Sequence, residues 1–161
     1  GKLNGKTVTY VGDFNNVARS LCEASAMLGM HIRLGCPEGY DAQDNELLGL
    51  TELGAASVEQ YRDIAIAVSG AHAVHTDTWT SMGQESESAE REAVFAGFEV
   101  TNEIMSLADS SAVFMHCLPA HRGQEVSPSV IDGPQSKIYP QAHNRMHAAR
   151  GVLAFLMGVK Q

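Results

Sequence analysis

The sequence has no run of lysine or arginine, and acidic residues outnumber basic ones 19 to 11, for a formal charge of −8. Association with nucleic acid or with an anionic membrane surface therefore has little electrostatic support. Long hydrophobic runs are missing too. The longest, Val152 to Val159, falls well short of the roughly 20 apolar residues that a spanning helix needs. The amino terminus lacks a charged segment followed by a hydrophobic one, so a cytoplasmic location is the default expectation. Cysteine is scarce and odd in number: Cys22, Cys36 and Cys117 show no Cys-x-x-Cys spacing, which argues against a disulfide framework or a zinc ribbon and for reduced thiols. Internal repeats, low-complexity tracts and linkers are also lacking. What remains is a chain of 161 residues, 44% hydrophobic and 19% charged. That suits a single domain, residues 1–161, burying roughly 70% of the surface its unfolded chain would expose.

The hydrophobic pattern alternates between two periods. Thr7 to Val11 is rich in β-branched and aromatic residues and stops at Gly12-Asp13. A helix capped by Asn15 or Asn16 then runs to about Leu28, with Gly29 as its stop. Further strands are predicted at His31 to Leu34, Ala56 to Gln60, Ala73 to Thr76 and Ala112 to His116. Helices are predicted at Ala42 to Leu53, Asp63 to Ser69, about Ser88 to Phe95, Asn102 to Ala108 and about Asn144 to Met157. Strands alternating with helices imply an α/β fold, a Rossmann-like three-layer sandwich whose mainly parallel sheet has helices on both faces. In such sheets ligands bind outside the carboxyl ends of the strands, so residues immediately after strands are the functional candidates.

Three segments meet that criterion. Val11-Gly12-Asp13-Phe14-Asn15-Asn16 turns from strand to helix and can aim backbone donors and an Asn amide at a carboxylate. Read alone, its asparagines need do no more than cap the helix. A dinucleotide fold also turns at this place, but Gly12 stands alone and Phe14 occupies a position where a pyrophosphate needs a small residue, so no nicotinamide cofactor is expected. The second segment, Thr76 to Glu85, combines the Asp77 carboxylate, hydroxyls, Trp79 and Gly83. Asp77 and Ser81 can hold an ammonium group, and the backbone near Met82 a second polar end. Its plainer reading is a helix-capping turn. In the third segment, His116-Cys117-Leu118-Pro119, the Leu-Pro step favours an extended or turned backbone with free carbonyls, beside a thiol that could equally be a small buried hydrophobe.

Histidine spacing raises the question of a metal. His143 and His147 are four apart, and His116, Cys117 and His121 are close in sequence, but no Glu lies between the helical pair as in the zincin pattern and no further pair completes a tetrahedral site. The sequence therefore predicts no metal, and a solvated helix face for His143 and His147.

Together these segments resemble the ornithine carbamoyltransferase family. Asp77-Thr78-Trp79-Thr80-Ser81-Met82-Gly83 matches its Asp-x-x-x-Ser-Met-Gly loop, and His116-Cys117-Leu118-Pro119 its His-Cys-Leu-Pro motif. Val11-Gly12-Asp13 with Asn15-Asn16, and Asn144-Arg145-Met146-His147, fall in the family's order. The resemblance covers essentially the whole chain but only the carboxyl-terminal, ornithine-binding half of the enzyme; the amino-terminal carbamoyl phosphate domain, with its Ser-x-Arg-Thr motif, has no counterpart here. It implies an enzyme that transfers a carbamoyl group from carbamoyl phosphate to the δ-amine of L-ornithine, giving L-citrulline and phosphate, without a cofactor and in a homotrimer when complete. By the same resemblance, Asn16 and the Met82 backbone take the α-carboxylate, while Asp77 and Ser81 take the α-ammonium. Cys117 sits near the reacting amine, and the Cys117 and Leu118 carbonyls with Arg145 hold the carbamoyl group. The catalytic set is then Cys117, Asp77 and Arg145.

The chemistry sets its own demand. An alkyl ammonium has a pKa near 10.4, so at neutral pH only about one molecule in 10³ has a free nucleophilic lone pair. The site must favour the neutral amine by burial and by a proton acceptor, either a Cys117 thiolate coupled to Asp77 or a path through water. Two departures from the family pattern bear on Arg145: His143 stands where Glu is usual, and Ala148-Ala149 follow His147 where a Gln is common. They leave open a non-catalytic amino-acid-binding or interaction module of the same fold, or a relative acting on another amine. Every version requires Asn16, Asp77 and Cys117 to share one cleft.

Overall fold

The computed structural model describes residues 2–80, 83 and 85–159. Five strands, β1 (Thr7–Val11), β2 (His31–Gly35), β3 (Ser57–Tyr61), β4 (Ala73–Thr76) and β5 (Val113–His116), form one sheet in the order β3-β2-β1-β4-β5. Every pairing is parallel, with Val8 opposite Ile32 and Ala73, and Val74 opposite Phe114. Seven α-helices are described: α1 (Asn16–Met27), α2 (Asp44–Glu52), α3 (Ile64–Val68), α4 (Ser88–Phe95), α5 (Asn102–Ser106), α6 (Pro128–Ile131) and α7 (Ile138–Leu156). A 3-10 turn, Glu85–Glu87, precedes α4. The α/β sandwich predicted from the sequence is the fold observed, with the sheet wholly parallel. No helix among the described residues is long and apolar enough to cross a membrane.

Alternation along the strands builds two cores. Val8 and Tyr10 of β1 join Ile32 and Leu34 of β2 beneath Ala18, Cys22 and Ala26 of α1 and Leu50 of α2. On the opposite face Val11, Val74 and Phe114 pack with Ile64 and Val68 of α3, Phe95 of α4, Met105 of α5 and Ile131 of α6. The central strand β1 is buried along its whole length, as a strand covered on both faces must be. The free edge of β5 is covered by chain rather than by another strand. Phe114 donates its N–H to the Gln135 carbonyl, and its own carbonyl accepts from Lys137.

Several boundaries differ from the sequence reading, most by one or two residues and that of the last helix by more. β3 begins at Ser57 and reaches Tyr61, one residue later than expected. The last helix begins at Ile138, not near Asn144, so Pro140 lies in its first turn, where the missing N–H of proline has no helical partner to lose. The short helix α6, with Pro128 in its first turn, was not anticipated.

Between β1 and β4 the chain reverses its direction of travel across the sheet: β1, β2 and β3 build outward to one side, β4 and β5 to the other. A crevice must open outside the carboxyl ends of strands at such a switch point. The three segments singled out in the sequence all lie there.

Candidate active site

Asn15, after β1, caps α1. Its side-chain oxygen accepts from the Val17 N–H at 2.9 Å and the Ala18 N–H at 3.1 Å. That leaves the amide nitrogen pointing out of the cap, where it donates to Asp77 Oδ2 at 3.0 Å. Asp77, after β4, also accepts at Oδ1 from its neighbour's Thr78 N–H at 2.8 Å and from the Cys117 thiol at 2.9 Å. Loops from β1, β4 and β5 thus meet on one carboxylate, itself mostly buried.

The thiol is the donor in this contact. Burial, reinforced by the hydrogen bond to Asp77, pushes the Cys117 pKa up to about 12, so the group is a neutral thiol at physiological pH. Tyr10, beneath the site, is raised well above the ordinary phenol value by burial and by the Asp77 charge. Asp77 is therefore the carboxyl group to which the surrounding donors point.

After β5 the backbone is held in an unusual course. Leu118 has φ +62°, in the left-handed region, and the Leu118-Pro119 peptide is cis. The Leu118 N–H donates to His116 Nδ1 at 2.9 Å, which assigns the ring proton to Nε2, 3.2 Å from Glu125 Oε1. Glu125, fully buried, also accepts from the His121 N–H at 2.6 Å. These bonds turn the loop so that neither the Cys117 nor the Leu118 carbonyl oxygen accepts a hydrogen bond among the described residues. Free carbonyls were expected at this place from the Leu-Pro step, and among the described residues none donates to them.

A cleft of about 990 Å³ joins these groups. It is lined by Asn16, Asp77, Cys117, Leu118, Gln141 and Arg145, among others. Of the residues expected at the site, Asn16, Asp77, Cys117, Leu118 and Arg145 are brought together; Ser81 and Met82 lie outside the described residues. Asn16 opens α1 and is exposed to the cleft, while its neighbour Asn15 does the capping. His143 and His147 form the exposed, mutually packed pair expected of a solvated helix face, with ring centroids 4.9 Å apart.

Ligand-type atoms of Asp77, His116 and Cys117 lie within 4.8 Å of one another, close enough to hold a divalent ion in principle. In this arrangement both His116 nitrogens and the Cys117 thiol already hold hydrogen bonds, which an ion would have to displace.

Three participants escaped the sequence reading. Glu125 braces the loop after β5, and Gln141 bridges two strands. Arg91, buried on α4, pairs with Asp13, donates to the Trp79 carbonyl and stacks over the Tyr40 and Phe95 rings, tying the β1 and β4 loops together from behind. Only Glu125 left a signal, being an acidic residue closely following the His-Cys-Leu-Pro run.

Comparison with known proteins agrees with this geometry. The family model for the aspartate/ornithine carbamoyltransferase Asp/Orn binding domain matches residues 4–156. The ornithine carbamoyltransferase of Parasynechococcus marenigrum (strain WH8102) is 49% identical over 160 residues, covering 98% of this chain and 50% of that protein. That of Symbiobacterium thermophilum is 47% identical over 161 residues, covering 98% and 52%. Among solved structures, the ornithine carbamoyltransferase from Pyrococcus furiosus superposes with a TM-score of 0.89 at 43% identity, over 100% of this chain and 52% of its own. The enzyme from Thermus thermophilus gives 0.84 at 38% identity, over 97% and 50%. The chain spans about half the length of these relatives. With the switch-point cleft, the matched motifs and the likeness along its whole length, the chain belongs to the aspartate/ornithine carbamoyltransferase family, of which it carries the Asp/Orn binding domain.

Proposed function

We propose that this chain is the ornithine-binding half of an ornithine carbamoyltransferase, its residues 1–161 forming the carboxyl-terminal domain of an enzyme whose other domain binds carbamoyl phosphate. The observation that carries the reading is one cleft lined by both Asp77 and Arg145 together with Cys117 and Leu118, whose carbonyl oxygens accept no hydrogen bond among the described residues. Asp77, with Ser81, holds the α-ammonium of L-ornithine; Asn16 and the Met82 backbone take its α-carboxylate. The δ-amine then lies near Cys117, and the Cys117 and Leu118 carbonyls accept from the carbamoyl NH₂. Arg145 polarises the carbamoyl oxygen as negative charge develops on it during attack.

The pushed-up thiol bears on the proton. Attack by the amine requires the loss of a proton, and a neutral Cys117 already donating to Asp77 cannot accept one. The proton therefore leaves through water or through the Asp77 carboxylate, with Cys117 as a neutral hydrogen-bonding wall beside the amine. The products are L-citrulline and phosphate. The remainder of the reading follows the family: no cofactor, a cytoplasmic setting, and a homotrimer of complete chains.

The test is citrulline formation from carbamoyl phosphate and L-ornithine by the full-length protein, with calorimetric titration of ornithine. The expected outcome is turnover that Asp77→Asn reduces together with ornithine affinity, by at least about tenfold, since a charge-assisted hydrogen bond is lost. Ornithine binding without citrulline would identify a non-catalytic amino-acid-binding module instead. No binding at all would refute both readings.

A further inference from the structure

Helix α7 has 19 residues, about 28 Å at 1.5 Å per residue, yet Ile138 is its only fully buried residue. From His143 to Leu156 every residue is exposed except Ala154, which is half-buried. The helix is thus rooted at one end and stands away from the sheet along the rest. Among the described residues, its side-chain hydrogen bonds into the sheet come from Gln141 alone.

The geometry of that residue is fully determined. The His116 backbone N–H, at the end of the edge strand β5, can only donate, so the Gln141 atom 3.1 Å away is the amide oxygen. The amide nitrogen then faces His75 Nε2 of β4 at 3.0 Å and must donate to it, which leaves the His75 proton on Nδ1, buried and without a hydrogen-bond partner among the described residues. Burial lowers the His75 pKa to about 4, with the nearby His116 adding to the effect, so the ring stays a neutral acceptor. One side chain accordingly reads the relative position of two strand ends. Four residues on, one helical turn further along the same face, stands Arg145.

We infer that Gln141 is a positioning residue for carbamoyl transfer, docking the root of α7 on β4 and β5 and thereby aiming Arg145 into the cleft. The inference rests on the role proposed above for Arg145. Because the sheet holds the helix only at its root, a tilt there is carried outward to the guanidinium, and a misplaced donor costs transition-state stabilisation more than amino-acid binding.

The test is a double-mutant cycle in the full-length protein. Gln141→Met keeps the length of the side chain and removes both hydrogen bonds. It should lower kcat by about tenfold or more while the KM for ornithine changes by less than about threefold. Arg145→Ala should lower kcat further, and adding Gln141→Met to it should cost less than about twofold more, because the two act as a unit. Losses that multiply in the double variant, or a kcat for Gln141→Met within about twofold of the parent, would overturn the inference while leaving the proposed function standing. An unchanged kcat for Arg145→Ala would overturn both. Should Gln141→Met not fold, Gln141→Asn carries the test. It keeps the amide but is one methylene too short to reach both the His116 N–H and His75 Nε2. The same loss of kcat, with the same lack of further loss in the Arg145→Ala background, is expected, and a kcat within about twofold of the parent counts against the inference.

Discussion

The Asn15 side chain splits its two ends between tasks, the oxygen closing the first turn of α1 and the nitrogen holding Asp77. Substitutions can separate them. Asn15→Ala should cost about 1 kcal/mol of stability through the lost cap, whereas Asn15→Ser keeps a capping oxygen and should cost only a few tenths, as read by urea unfolding. Both remove the donor to Asp77, so ornithine affinity should fall in both, and it is this shared loss with unequal stability that checks the division. His75 makes a second prediction at this scale. Its folded pKa of about 4 lies below the ordinary value of 6.5, so below that value the unfolded state takes up protons that the folded state refuses. Stability is therefore full above about pH 6.5 and falls progressively toward pH 4, by up to about 3 kcal/mol, from this one group. Urea midpoints measured across that range should fall less steeply in His75→Gln.

Among the elements, α4 illustrates what side-chain type alone conceals. Arg91 sits in a helix otherwise marked by Ser88, Glu90 and Glu92, and nothing in that pattern separates it from a solvated surface residue. In the structure it is buried, its charge met by Asp13 and its flat face covered by Tyr40 and Phe95. Arg91→Met should destabilise by about 3–5 kcal/mol, since it strands Asp13 and the Trp79 carbonyl. Arg122→Met, which breaks the exposed pair with Asp132, should leave the urea midpoint almost unmoved by the same denaturant measurement. Other elements were easier to read. β1 and α1 were legible because a β-branched run, a glycine turn and an asparagine cap follow one another, although only the structure tells that Asn15 and not Asn16 is the cap. The root of α7 was not, because Lys137 provides no side-chain cap and Pro140 resembles a breaker rather than a first-turn residue.

Across the whole molecule, the convergence of Asn16, Asp77 and Cys117 was foreseeable because parallel topology puts every strand's carboxyl end on one side, and motif order named the strands. The bracing by Glu125, Gln141 and Arg91 was not, since it depends on partners 9 to 78 residues away in sequence that no local pattern pairs. The same scale shows an exposed apolar stripe on and just beyond α7, including Val152, Leu153, Phe155, Leu156 and Met157. A surface of this kind seeks cover. Taken alone, this chain should sediment with a concentration-dependent mass that Leu153→Glu with Phe155→Glu returns to the monomer value.

Strand order has a further consequence for how the protein is made. Of the five strands the central β1 is synthesised first, while its neighbour β4 and the helix bearing Arg145 follow much later. At roughly 5–20 residues per second, on the order of ten seconds separates the first loop of the cleft from the last. A nascent chain can pair β1, β2 and β3 during that interval, but until β4 and α7 follow it carries only the Asn16 end of the cleft. On the function proposed above, ornithine therefore cannot assist the early steps of folding, and any stabilising effect should be confined to chains whose synthesis has passed α7.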